Sequence, residues 1–80
     1  MSAFEKAAED VKTLKNISDE NKLKLYGLFK QATKGNNTKP KPYFWNAVEL
    51  AKWNSWNNFK DLSKEEAEEK YVALVLKLFD

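Results

Sequence analysis

Three observations predict an all-α fold, a bundle of four helices. Apolar residues recur at three- and four-residue spacing in four separate stretches. Serines that can cap a helix start stand before three of them. No stretch alternates apolar and polar residues as a half-buried strand would, and no internal repeat or low-complexity tract interrupts the pattern.

The first helix is expected to begin near Ala3, because Ser2 and Glu5 have the spacing of a capping box. Its stripe is Phe4, Ala7, Ala8, Val11 and Leu14, with Lys15 at its edge, and it fades by Lys15 or Asn16. Ser18 then caps a second helix over 19–33, with Asp19 and Glu20 where the helix dipole favours acids. Leu25, Leu28, Phe29 and Ala32 mark one face of that helix. Gly35 is placed for a left-handed C-cap, and Gly27 lowers helix propensity in a way that suits close approach of a neighbour.

The stretch 35–44 carries Pro40 and Pro42 and is expected to be an extended connection. Ten residues reach about 33 Å, whereas a helix of about 14 residues is about 21 Å long. The connection is therefore long enough to return along the second helix and leave the second and third parallel. A third helix is expected over 46–60, with Val48, Ala51 or Lys52, Ser55, Trp56 and Phe59 on one stripe and Trp53 off it. Ser63 and Glu66 form a second capping box, opening a fourth helix that runs from Lys64 nearly to Asp80. Ala67, Tyr71, Leu74 and Leu78 form one row of it, and Val72, Val75, Leu76 and Phe79 widen the apolar face, so packing on two sides is expected.

Eighty residues correspond to one domain, taken as 1–80. A chain of this size buries only about 60–65% of its unfolded surface, and eleven aromatics help to fill a small core. Without cysteine there is no disulfide, thiolate nucleophile or thiolate metal ligand; without histidine the usual general base and commonest metal ligand are absent. Glu65, Glu66, Glu68 and Glu69 read as a solvated helix face, not as desolvated catalytic carboxylates. No phosphate-binding glycine loop or nucleophile elbow is present. Catalysis is thus not expected, and neither is a cofactor or metal. No secretory signal opens the chain and no apolar run approaches the ~18 residues of a membrane span, so a cytoplasmic monomer is the expectation.

The net charge of +2 is unevenly spread. Residues 1–21 hold three Lys against five acids, residues 22–60 eight Lys against Glu49 alone, and residues 61–80 three Lys against six acids. A basic middle between acidic ends suits a partner with several negative charges. Within that middle, Tyr26 and Lys30 are four apart and stand side by side on one helix. A phenol and an ammonium together make a donor cluster for an anion such as phosphate; a solvated lysine beside a packed tyrosine is the plainer reading. Lys52 lies among apolar neighbours, while Tyr71 and Lys12 are polar groups on or beside apolar rows.

The segments Tyr26-Gly27-Leu28-Phe29-Lys30-Gln31-Ala32-Thr33-Lys34-Gly35 and Ala51-Lys52-Trp53-Asn54-Ser55-Trp56-Asn57, then Ser63-Lys64-Glu65-Glu66-Ala67 and Tyr71, resemble the acyl-CoA-binding protein family, also called the diazepam-binding inhibitor family. The family pattern is Tyr-x-x-Tyr-Lys-Gln-Ala-Thr-x-Gly, Lys-Trp-x-Ala-Trp and Ser-Lys-Glu-x-Ala followed by a Tyr. Residues Phe4 to Val11 also resemble its first helix. The resemblance implies an up-down-down-up bundle and a long-chain fatty acyl-CoA ligand. It implies that Tyr26, Lys30 and Lys52 hold phosphates, that Phe29 supports the adenine, that Tyr71 lies over the CoA moiety, and that Lys12 and Ala8 flank the head group. Lys22, Leu23, Ala47 and Ala51 fall at the acyl groove. Phe29 replaces a common Tyr, Lys22 an often apolar residue, Ala47 a larger aromatic and Asp61 a common Gly. The implied role is a reversible acyl-CoA carrier that meets acyl-CoA-using enzymes or membranes transiently and binds no nucleic acid. From the residues alone, a small helical module offering its basic face to an acidic protein or nucleic acid is the rival reading. A CoA-thioester enzyme, to which such domains are sometimes fused, has little room in this composition.

Overall fold

The structure is a computed structural model and describes residues 2–80. Among these residues there are four α-helices and no strand: α1 Ala3–Asp10, α2 Asp19–Lys34, α3 Ala47–Asn58 and α4 Lys64–Leu78. The starts lie at or within one residue of the expected positions, because local capping fixes them. Ser2 and Ser63 each accept a hydrogen bond from the N–H three residues on, and the Glu5 and Glu66 carboxylates accept one from the serine N–H in return. Ser18 accepts from Asn21 at the start of α2. Asn46, before α3, gives no such side-chain bond. Hydrogen bonding with Ser63, its backbone N–H first, holds the Glu66 carboxyl below its ordinary pKa.

Helix ends differ more from expectation. The α-helical part of α1 stops at Asp10 and tightens into a 3-10 turn over Val11–Thr13. The Thr13 hydroxyl donates to the Asp10 carbonyl at 2.7 Å, and Leu14, already extended, donates its N–H to Val11. That local bonding removes the last turn that periodicity predicts, and Lys15 is left exposed beyond it. Gly35 has φ 79 as expected of a glycine after a helix, but ψ is −154, so it is not a left-handed helical cap.

Helix α2 is the central element, packed on α3 along one flank and on α4 along the other, while α1 packs on α4. The core is Phe4, Ala7, Leu25, Leu28, Ala32, Ala67, Tyr71 and Val75. The aromatic contacts inside it are close: Phe4 meets Tyr71 edge-on at 5.1 Å between ring centres. Burial pushes the Tyr71 phenol pKa up. Helix α4 packs on two neighbours, α2 and α1, as its wide apolar face predicts; Val72, Leu74 and Leu78 join the core, while Leu76 and Phe79 of that expected face stay exposed.

The order of contacts along α2 fixes the direction of α3. Leu23 meets Ser55 through a hydrogen bond from the Ser55 hydroxyl to its carbonyl, Gly27 lies against the Ser55 backbone, and Gly35 accepts from the Trp56 indole at 2.8 Å. The first turns of α2, Asp19 to Tyr26, share a cavity with the first turns of α3, Ala47 to Lys52, and these later contacts join the later turns, so the helices are parallel, as the reach of the connection allows. A Cβ on Gly27 would lie 2.5 Å from the Ser55 carbonyl oxygen, which is why a glycine is needed there. The connection between α2 and α3 is fastened to α3 by Trp53, whose indole donates to the Lys39 carbonyl at 2.8 Å. Trp53 and Trp56 thus both serve the loop. Gln31 is buried and donates to Asn36 and to the Leu62 carbonyl, tying α2 to the turn before α4. Asp61 sits in that turn at φ 73, a left-handed position that glycine adopts more freely, and its N–H donates to Asn36 at 2.8 Å.

Candidate functional site

Two grooves flank Tyr26. The first, with a volume of about 510 Å³, lies between α2 and α3 and is lined by Asp19, Lys22, Leu23, Tyr26, Ala47, Val48, Ala51 and Lys52. It exists because small residues, Ala47 and Ala51, face α2 from the first turns of α3. Further along, Gly27 and Ser55 bring the helices into contact and close the groove at that end. The second groove, about 600 Å³, lies where α1 meets α2 and α4, and its wall includes Phe4, Ala8, Val11, Lys12, Lys22, Tyr26, Phe29 and Tyr71. Tyr26 and Lys22 border both.

The cations gather on Tyr26. The Lys52 ammonium lies 4.9 Å from the Tyr26 ring centre and the Lys30 ammonium 5.8 Å from it. Lys30 also lies 5.4 Å from the centre of the Trp56 ring, and Lys39 6.0 Å from the same ring. Cations over aromatic faces keep their N–H donors outward for a further acceptor. Lys30 makes no ion pair among the described residues; Lys52 makes a loose one, 3.8 Å from Glu49, on the surface. Lys12 is likewise paired with Glu9 at 3.4 Å. Exposed pairs of this kind are weak and exchange readily for a better anion.

The sequence-derived residues are therefore brought together in part. Lys22, Leu23, Ala47 and Ala51 do share one cavity, with Tyr26 and Lys52 on its wall. The remaining set divides. Ala8, Lys12, Phe29 and Tyr71 lie in the second groove, which adjoins the first at Tyr26 and Lys22. Phe29 is partly exposed, with its ring 5.6 Å from Phe4 and 6.1 Å from Tyr71. It borders the core and the groove at once. Val48 is not a core residue; it stands exposed on the rim of the first groove. Lys39 and Asp19 were not singled out by sequence. Charge alone does not distinguish Lys39 from the other lysines of its loop, and its place near Trp56 follows from the loop's attachment to α3.

The sequence profile of the family described as "Acyl CoA binding protein" matches residues 1–75. The chain belongs to the acyl-CoA-binding protein family. It is 48% identical over 77 residues to acyl-CoA-binding protein homolog 1 of Caenorhabditis elegans, covering 95% of this chain and 90% of that protein. The crystal structure of Oryza sativa acyl-CoA-binding protein 2 superposes with a TM-score of 0.94 at 45% identity, over 96% of this chain and 85% of the other. The all-α family fold inferred from the quoted motifs is thereby shown. The chain is also 49% identical over 76 residues to rat enoyl-CoA delta isomerase 2, but covers only 19% of that longer protein. The likeness is confined to that portion of the isomerase. Among the described residues, no helix is long and apolar enough to cross a membrane.

Proposed function

We propose that this protein binds fatty acyl-CoA thioesters reversibly and carries them, without transforming them. The observation that carries the reading is the junction of an apolar groove with a cluster of lysines around one tyrosine. An acyl-CoA is built to the same plan, with an apolar chain at one end and phosphates at the other. In this reading Lys30, Lys52 and the Tyr26 hydroxyl hold phosphate oxygens, with charge-assisted bonds contributing about 1.5–3 kcal/mol each where water is partly excluded. Phe29 and Tyr71 offer aromatic surface to the adenine and the rest of the CoA, beside Lys12 and Ala8. The acyl chain lies against Leu23, Ala47 and Ala51 and gains about 0.8 kcal/mol per buried CH₂. Lys22 lays its stem along that groove with the ammonium at the edge. Family membership supports the same assignment, as do the names of its relatives. A cytoplasmic monomer that exchanges cargo with enzymes or membranes fits this role.

Titration calorimetry with palmitoyl-CoA, free CoA and palmitate tests the proposal. Palmitoyl-CoA is expected to bind much more tightly than either fragment, because each fragment engages one half of the site. Absence of binding heat for palmitoyl-CoA at micromolar protein, or equal affinity for palmitate alone, contradicts it.

A further inference from the structure

The connection before α3 ends in three aromatic residues that the fold does not bury. Tyr43, Phe44 and Trp45 are 67%, 80% and 64% exposed. They are not loose side chains. Tyr43 and Trp45 stack at 4.6 Å between ring centres, Phe44 meets Trp45 edge-on at 5.2 Å, and the Asn46 N–H donates to the Tyr43 carbonyl at 3.0 Å. The loop beneath is fastened by the Trp53 indole on the Lys39 carbonyl. The result is a small apolar wedge on a fixed mount. Val48, 72% exposed, extends it to the rim of the groove between α2 and α3.

We propose that this wedge docks the protein on the surface of an anionic lipid bilayer. Tyrosine and tryptophan favour the bilayer interface, where the ring is shielded and the polar tip stays hydrated. The charge of the segment that carries the wedge matches that surface. Lys39 and Lys41 precede it in the same loop, and no acid occurs between Glu20 and Glu49. A second copy of this chain fits the patch less well, because a two-fold contact would set the same lysines against each other. Seated in this way, the rim at Val48 and Ala47 faces the lipid, and a chain can pass between bilayer and groove with little exposure to water. That transfer rests on the acyl-CoA reading above; the docking itself needs no ligand.

Ligand-free protein is sedimented with vesicles of phosphatidylcholine plus phosphatidylserine, and with phosphatidylcholine alone. Binding is expected to the anionic vesicles, weakening with added salt and much reduced on the neutral ones. Acyl chains carrying bromine are expected to quench Trp45, with the quenching lost in Trp45→Phe. The double variant Phe44→Ser/Trp45→Ser is expected to lower partitioning by at least about tenfold, since it removes both apolar anchors. Its helical circular dichroism and its palmitoyl-CoA affinity should be unchanged, because neither residue lines a groove. Equal partitioning of the parent and the double variant overturns the proposal, as does failure to bind anionic vesicles. A concentration-dependent dimer in the ultracentrifuge that the double variant abolishes also overturns it and marks a self-association face instead. Vesicle binding by a protein that ignores palmitoyl-CoA leaves the docking standing and removes the carrier reading.

Discussion

The two flanks of α2 are closed by different physics. Toward α4 and α1 the seam is apolar: Leu25, Leu28 and Ala32 meet Phe4, Ala67, Tyr71 and Val75 in one cluster. Toward α3 the seam is held at points, by the Gly27–Ser55 backbone approach and by bonds to the Leu23 and Gly35 carbonyls. A seam filled along its length opens only at its rim, where the second groove lies beside Phe4, Phe29 and Tyr71. A seam pinned at one end can stay open at the other, and there it leaves a cavity lined by Leu23, Ala47 and Ala51. One helix therefore carries a filled core seam on one flank and an open groove along the other, and substitutions inside the core seam and at the point-held seam should be felt in different measurements.

The largest effect expected is at the pin that ends the open seam. Trp56 is only 4% exposed, although it lies outside the main apolar cluster. Trp56→Ala should cost about 3–5 kcal/mol in denaturant unfolding, through the lost ring and the orphaned Gly35 carbonyl. An unchanged midpoint would show that the α3 flank needs no such pin. Gly27→Ala is next. Its methyl has no room against Ser55, so the parallel helices must separate, at about 2 kcal/mol or more. The same variant should change the shape of the groove, and calorimetry with palmitoyl-CoA should show weaker binding than in the parent.

Helix starts were legible because capping is local: Ser2 with Glu5, and Ser63 with Glu66, specify their own hydrogen bonds. The close approach at Gly27 was also readable as a glycine inside a helix, though not its partner. What periodicity does not contain is which face meets which. It put Val48 on the stripe of α3, yet at that end α3 has diverged from α2 and Val48 meets solvent. The bonds from Trp53 and Trp56 to loop carbonyls depend on the path of the connection, which no local pattern encodes.

Smaller effects sharpen the contrast on the apolar flank. Burial raises the Tyr71 pKa above its ordinary value of 10.0, so the neutral phenol's contribution is complete below that value. It is lost as pH rises from there through the folded-state pKa. Thermal melts should show the parent losing more stability over that alkaline range than Tyr71→Phe, while the lysines act alike in both. Equal slopes would mean that Tyr71 is hydrated. Smallest of all is Asp61→Gly. Relief of the left-handed backbone should outweigh the long 3.3 Å bond from Asn36 to the carboxylate, for a net gain of about 0.5 kcal/mol. A lower melting temperature would show that the carboxylate matters more than the backbone.

The division between the flanks is tested most directly at Lys30, whose ammonium lies between the Tyr26 and Trp56 rings without a carboxylate partner. Palmitoyl-CoA titration of Lys30→Ala is the measurement, read beside its melting temperature. The expected result is an affinity lowered by about tenfold or more with an unchanged melt, since a charge-assisted bond is lost and no core contact is touched. Parental affinity in the variant would contradict the assignment of this flank of α2 to the phosphate end of the ligand.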